Sequence, residues 1–162
     1  MDTREKILSR EGLHDVLEEH RRAGRRIVFA NGVFDLLHVG HVRYLEAARA
    51  EGDVLLVAIN SDASTRRLKG QRRPILTERA RATLVAALAA VDYVIIFDDP
   101  DVKSLLREFH PDVHAKGTDY TADSVPERDL AALLGIRVAI VGDPKQHSTR
   151  DLLARLRQPA DG

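Results

Sequence analysis

The spacing of apolar residues changes repeatedly along this chain, and each change marks an element. Behind Ser9, a capping residue type, Leu13, Val16, Leu17 and His20 recur at helical intervals, and Gly24 suits the turn that ends such a helix. Ile27, Val28 and Phe29 then form a β-branched and aromatic run, Asn31-Gly32 breaks it, and helical spacing resumes near Val39. The order is strand, glycine turn, helix. Asp53 to Asn60 is apolar almost throughout, which predicts a central parallel strand covered on both faces and completes one βαβ unit.

The same alternation continues. Thr77 is expected to cap a helix with an apolar stripe of Leu84, Val85 and Leu88, with Ala86 to Ala90 in the core, and Val91 to Phe97 carries a third strand. Asp99-Pro100 has the chemistry of a helix start, followed by Val102, Leu105, Leu106 and Phe109 at helical spacing. Asp112 to Ala115 reads as a short fourth strand. Ser124 to Glu127 reads as a capping box ahead of Leu130, Leu133 and Leu134, with Gly135 as the stop. Ile136 to Val141 is a fifth strand, and a turn from Gly142 to His147 leads to Ser148 and Asp151, again at capping-box spacing. The pattern predicts an α/β fold: a single Rossmann-like domain of about five parallel strands with helices on both faces. Residues 1–24 would be a helical prefix to a core of residues 25–162.

Composition narrows the classes of partner. A length of 162 residues, 44% hydrophobic and 31% charged, is ordinary for one α/β core. The 25 basic and 25 acidic residues cancel, so nucleic acid and anionic membranes are not expected partners. Cysteine is absent, which removes disulfides and thiolate metal sites. No apolar run approaches the roughly 18 residues of a membrane span, and the first residues lack a signal peptide's hydrophobic region. The cytoplasm is the expected compartment.

Candidate chemistry gathers where strands end. His38 and His41 stand one helical turn apart around Gly40, at a predicted helix start after a strand. Two imidazoles there can hydrogen-bond polyphosphate oxygens, and Gly40 has no side chain to hold a phosphate away. Donors fixed where negative charge develops supply much of the catalysis of phosphoryl and nucleotidyl transfer. The bland account makes one histidine a helix cap and the other a surface residue; the preceding strand and glycine turn favour the chemical one. The second strand ends in Asn60-Ser61-Asp62. From Ala63 to Pro74, Arg66, Arg67, Lys69, Arg72 and Arg73 surround Gly70, as expected of a mobile arm that closes over a triphosphate. Lys116 and Gly117 follow the fourth strand, and Ser148 and Thr149 offer hydroxyls and amides at the last helix start. His14 and His20, six residues apart, are assigned no chemistry. The lack of G-x-G-x-x-G, of a Walker loop and of H-E-x-x-H argues against a dinucleotide oxidoreductase, a P-loop kinase and a zinc hydrolase.

Asn31-Gly32-Val33-Phe34-Asp35 followed by His38-Val39-Gly40-His41 resembles the first signature of the H-x-G-H nucleotidyltransferases. Within that superfamily the chain most resembles the D-glycero-D-manno-heptose 1-phosphate adenylyltransferases. Leu68-Lys69-Gly70 with Arg73-Pro74 is similar to their lysine loop, Lys116-Gly117-Thr118-Asp119-Tyr120 to their K-G-G-D-Y, and Ser148-Thr149 to the Ser-Thr signature of the last helix. Thr118 departs from the second glycine and Arg150 from the more usual threonine. A β-branched Thr118 resists positive φ, so a family turn that needs that geometry must differ here.

The resemblance implies transfer of a nucleoside monophosphate, AMP from ATP, to a sugar 1-phosphate, D-glycero-D-manno-heptose 1-phosphate, with release of pyrophosphate. It implies Mg2+ held through substrate phosphates, with no direct protein ligand. His38, His41 and Lys69 would be catalytic. Asn31, Gly32, Phe34, Asp35, Gly40, Arg73, Arg81, Lys116, Ser148 and Thr149 would bind nucleotide or phosphate, and Asn60, Asp62, Asp119 and Arg150 the acceptor. Asp35 is expected to serve site architecture. CTP or GTP in place of ATP, and glycerol 3-phosphate or another sugar phosphate as acceptor, stay open. So do a non-catalytic nucleotide-binding module and a homo-oligomer. Heptose enzymes can be fused to a sugar kinase; here a separate kinase is expected to supply the sugar 1-phosphate.

Overall fold

The five runs expected to be strands all find neighbours through parallel ladders. The computed structural model describes residues 1–144 and 148–157; the turn residues Lys145, Gln146 and His147 lie outside the described residues. The strands are β1 (Ile27–Gly32), β2 (Val54–Asn60), β3 (Tyr93–Phe97), β4 (Val113–Gly117) and β5 (Arg137–Val141). They form one sheet in the order β3-β2-β1-β4-β5, parallel throughout. The helices are α1 (Arg10–Arg22), α2 (Val39–Arg49), α3 (Asp62–Lys69), α4 (Glu78–Ala86), α5 (Lys103–Phe109), α6 (Arg128–Leu134) and α7 (Thr149–Leu156). This is a Rossmann-like α/β fold.

Strand alternation sorts the core into two layers. Val28 and Ala30 of β1, with Leu55, Val57 and Ile59 of β2, meet Leu45 and Ala48 of α2 and Ala82, Val85 and Ala86 of α4. On the other face Ile27, Phe29 and Leu56 meet Leu13 and Leu17 of α1, Leu105, Leu106 and Phe109 of α5 and Ala131 of α6. All seven residues of β2 are buried, as a central strand requires. The helical prefix is joined to this core, since Leu13 and Leu17 are fully buried and Leu8 N–H donates to Val94 O. Because β1 connects to β2 on one side while β4, its neighbour on the other, connects outward to β5, the crossovers diverge beside β1. The crevice at its carboxyl end is therefore the topological switch point, where open α/β sheets bind ligands.

Several expectations shift. β1 runs on through Asn31 and Gly32, which keep register with Ala58 and Ile59. The basic segment is not an irregular arm over its first half: Asp62 to Lys69 is helical, because Ser61 Oγ accepts Ser64 N–H, Ser64 and Thr65 are buried, and no breaker intervenes before Gly70. In α4 the buried stripe is Arg81, Ala82, Val85 and Ala86, whereas Leu84, Ala87 and Ala89 are exposed; the fully buried Arg81 sets the phase that an apolar count misplaces. Helix α5 begins at Lys103, whose N–H is received by Asp101, and not at Asp99-Pro100. The Ser124–Glu127 capping box does not form. Ser124 Oγ instead accepts Thr121 N–H, Glu127 turns inward, and Leu133 is exposed. His14 contacts Glu108 and His20 contacts Tyr93 Oη at 2.9 Å, both away from the switch point. Among the described residues no helix is long and apolar enough to cross a membrane.

Candidate functional site

The two histidines of α2 cap one another. Gly40 N–H donates to His38 Nδ1 at 3.1 Å, and His38 N–H donates to His41 Nδ1 at 3.4 Å. The rings stack with centroids 3.9 Å apart. Since both Nδ1 atoms accept, a neutral ring in either position carries its proton on Nε2. The first-turn amide of Gly40 is thus satisfied internally, and the donor of each neutral ring is its Nε2–H. The cap that the sequence allowed to one histidine is built by both together. The edge of Phe34 supports His41 at 5.4 Å between centroids, and Phe34 stacks on Tyr44. Phe34 and Leu36 hold positive φ of 51° and 48°, so the loop between β1 and α2 carries backbone strain beside the histidines. A Cβ at Gly32 would lie 3.0 Å from the Phe34 ring, which would have to give by a few tenths of an ångström.

Asp35 is the junction beneath this loop. Its buried carboxylate accepts Ile75 N–H at 2.8 Å, Leu76 N–H at 3.0 Å and Arg73 Nε–H at 3.0 Å, while its carbonyl accepts Thr149 Oγ–H at 2.8 Å. It therefore fixes the second half of the basic segment and the start of α7 against the β1 loop. Ser148 Oγ accepts Asp151 N–H and donates to Asp151 Oδ2, so both hydroxyl protons at the start of α7 are committed within the protein. What α7 offers an anion is its amide end and Arg150.

The carboxyl end of β4 contributes a second cation. Lys116 is buried, with Nζ 3.8 Å from Glu127 Oε2 and 4.5 Å from the Tyr120 ring centroid. Burial pulls its pKa below the ordinary lysine value, opposed by Glu127. Thr118 takes no positive φ; its hydroxyl donates to Asp143 O and ties the β4 loop to the turn after β5.

These elements enclose a cleft of about 1370 Å³ at the carboxyl edge of the sheet, larger than a single-ligand pocket of roughly 300–1,000 Å³. Asn31, Gly32, Phe34, Asp35, His38, Gly40, His41, Asn60, Lys69, Arg73, Lys116, Asp119, Ser148, Thr149 and Arg150 line it. Arg81 and Asp62 do not. Arg81 of α4 is fully buried and donates to Leu76 O, Val33 O, Asn60 O and Asp62 Oδ1, pinning the ends of β1 and β2 to α4 and the start of α3, so its guanidinium faces the packed interior and not the cleft. Asp62 is committed to Arg81 and sits outside the cleft.

Sequence reasoning missed Tyr44, Gly142 and Tyr120 as lining residues. Tyr44 stands three residues after His41 on the same helix face, a signal that was legible. Gly142, at φ +92°, follows β5, and a Cβ there would meet Tyr44 Cα at 3.2 Å; only the strand order places those two together.

A family model described as cytidylyltransferase-like matches residues 29–152. The bifunctional protein HldE of Syntrophotalea carbinolica is 48% identical over 151 residues, 93% of this chain and 31% of that protein. Its counterpart of the same description in Wolinella succinogenes is 49% identical over 129 residues, 80% of this chain and 27% of that protein. The chain thus spans about a third of the length of the curated relatives it matches. Among solved structures, the lipopolysaccharide core biosynthesis protein from Thermoplasma volcanium GSS1 superposes with TM-score 0.64 at 31% identity, covering 75% of this chain and 100% of that one. Pantoate-beta-alanine ligase from Francisella tularensis shares the fold, with TM-score 0.68 at 15% identity over 91% of this chain and 72% of that one. With the family match running from β1 into α7, the chain belongs to the cytidylyltransferase-like family.

Proposed function

We propose that this chain transfers AMP from MgATP to a sugar 1-phosphate, D-glycero-D-manno-heptose 1-phosphate, and releases pyrophosphate. One observation carries the reading: the mutually capped His38–His41 pair, with its two Nε2–H donors, shares a single cleft with Lys69, Arg73 and Lys116. Donors and cations on several sides of one space suit two anions that must be brought together. The similarity to proteins named HldE, and to one named for lipopolysaccharide core biosynthesis, supports a sugar acceptor. The expected compartment is the cytoplasm.

The acceptor phosphate is already ionised, so no base is needed to make the nucleophile. Its oxygen attacks the α-phosphorus of ATP; the new P–O bond forms as the bond to the β-phosphate oxygen breaks, and pyrophosphate leaves with that electron pair. His38 and His41 donate to oxygens that gain charge in this displacement, while Lys69 and Arg73 offset repulsion between the two substrates. Asp35 holds Arg73 in place and, with three N–H donors on its carboxylate, serves architecture. That donor set fits Mg2+ bound through triphosphate oxygens, where the ion would supply further charge neutralisation.

Pyrophosphate release, measured with ATP, CTP and GTP crossed against both anomers of the heptose 1-phosphate and glycerol 3-phosphate, tests the assignment. Release confined to ATP with the heptose phosphate is expected; release with another pair reassigns base or acceptor.

A further inference from the structure

His114 lies on β4 directly beside Phe29 of β1, fully buried, its ring edge-on to the Phe29 ring. Its Nε2 sits 3.1 Å from Asn31 Oδ1, while its Nδ1 is buried without a partner. Two tautomers are conceivable, and burial chooses between them. A proton on Nδ1 would leave an unsatisfied N–H in the core, whereas a proton on Nε2 leaves only an unsatisfied lone pair, the cheaper defect. Nε2–H therefore donates to Asn31 Oδ1. Burial, reinforced by the Lys116 charge, lowers the His114 pKa to about 3, so the ring stays neutral and keeps that tautomer at physiological pH.

Asn31 stands one residue before the end of β1 and lines the cleft at the switch point. With its oxygen held by His114, the amide turns its Nδ2 to the opposite side, and that nitrogen has no hydrogen-bond partner among the described residues. A lone asparagine could present either its oxygen or its NH2 to a ligand; this one is held NH2-outward.

We propose that His114 is a positioning residue that locks the Asn31 amide so that Nδ2 adds a neutral donor to the cleft for an anionic phosphate oxygen of the nucleotide. This rests on the reading of the cleft as a nucleotide site and deepens it. The donor stands on the strand side, across from the helix-borne histidines, where a charged side chain would cost more to bury.

The tautomer is read without any ligand from two-bond 1H–15N correlations of the His114 ring in the intact chain. A proton on Nε2 is expected, and one on Nδ1 overturns the proposal. Binding of MgATP is then measured calorimetrically in His114→Leu, His114→Gln, Asn31→Ala, Asn31→Asp and the double variant His114→Leu/Asn31→Ala. His114→Leu and Asn31→Ala should each weaken binding about tenfold. The double variant should be no weaker than Asn31→Ala, because both changes remove one interaction. His114→Gln, which can still donate, should restore most of the affinity, and Asn31→Asp should be the worst of the set because it turns an anion toward the phosphates. Additive losses, unchanged affinity in His114→Leu, or tolerance of Asn31→Asp overturn the proposal. Wild-type chain that binds no MgATP overturns the nucleotide reading itself, an outcome the ring tautomer distinguishes from failure of the His114–Asn31 lock.

Discussion

Arg73 Nε donates to Asp35 Oδ2 at 3.0 Å, and through this pair the loop after β1 governs the segment after α3. The Asp35 carboxylate is almost completely buried and also receives the Ile75 and Leu76 amides. Asp35→Ala would leave a guanidinium and two backbone N–H groups without their acceptor. The expected cost is about 2–4 kcal/mol of stability, together with loss of nucleotide affinity. Urea unfolding monitored by circular dichroism checks the first; an unchanged midpoint would mean that Asp35 is not the junction described here.

His41→Asn separates capping from catalysis. The asparagine Oδ1 can take the place of His41 Nδ1 as acceptor for His38 N–H, so the start of α2 survives, but the Nε2–H donor is gone. Turnover should fall about 10²–10³-fold with the melting temperature nearly unchanged. Near-normal turnover in a folded variant would remove His41 from the chemistry.

Lys69 ends α3 just before Gly70 and lines the cleft. Lys69→Ala should lower kcat/KM by at least about tenfold while stability changes by less than about 0.5 kcal/mol, the usual range for an exposed substitution. Steady-state kinetics beside thermal melts decides this, and a kinetic constant equal to wild type would return Lys69 to ordinary surface charge.

The strands, their parallel arrangement and the histidine pair were legible because each depends on short runs of sequence: Ile27 to Phe29, Val54 to Asn60, and His38 through His41. What depended on distant partners was not. Arg81 looks like a solvent-facing helix arginine until the ends of β1 and β2 supply the carbonyls it binds. Asp62 reads as a strand-end ligand until Arg81 claims it. His114 and Asn31 are 83 residues apart, and only the adjacency of β1 and β4 brings them within hydrogen-bond distance. The helical start of the basic segment was hidden by its charges, although Ser61 already supplied the cap.

His114 also makes the fold sensitive to acid. Its pKa is lowered to about 3 in the folded chain from an ordinary 6.5, so between those values the unfolded chain binds a proton that the folded chain refuses. The stabilisation is therefore complete above about pH 6.5 and is lost as pH falls through this window, at a slope of up to about 1.4 kcal/mol per pH unit. Urea midpoints at neutral and mildly acidic pH should show a shallower pH dependence for His114→Leu than for wild type. Parallel losses in the two proteins would show that His114 titrates normally in the folded state.

The central claim is direct nucleotidyl transfer, and phosphorus NMR of one reaction mixture tests it most directly. With MgATP and D-glycero-D-manno-heptose 1-phosphate, the account predicts loss of the triphosphate and sugar-phosphate signals, with stoichiometric appearance of pyrophosphate and of the two coupled resonances of a diphosphate diester. An unchanged spectrum from folded protein that binds ATP, or ADP appearing with a doubly phosphorylated sugar, would contradict it.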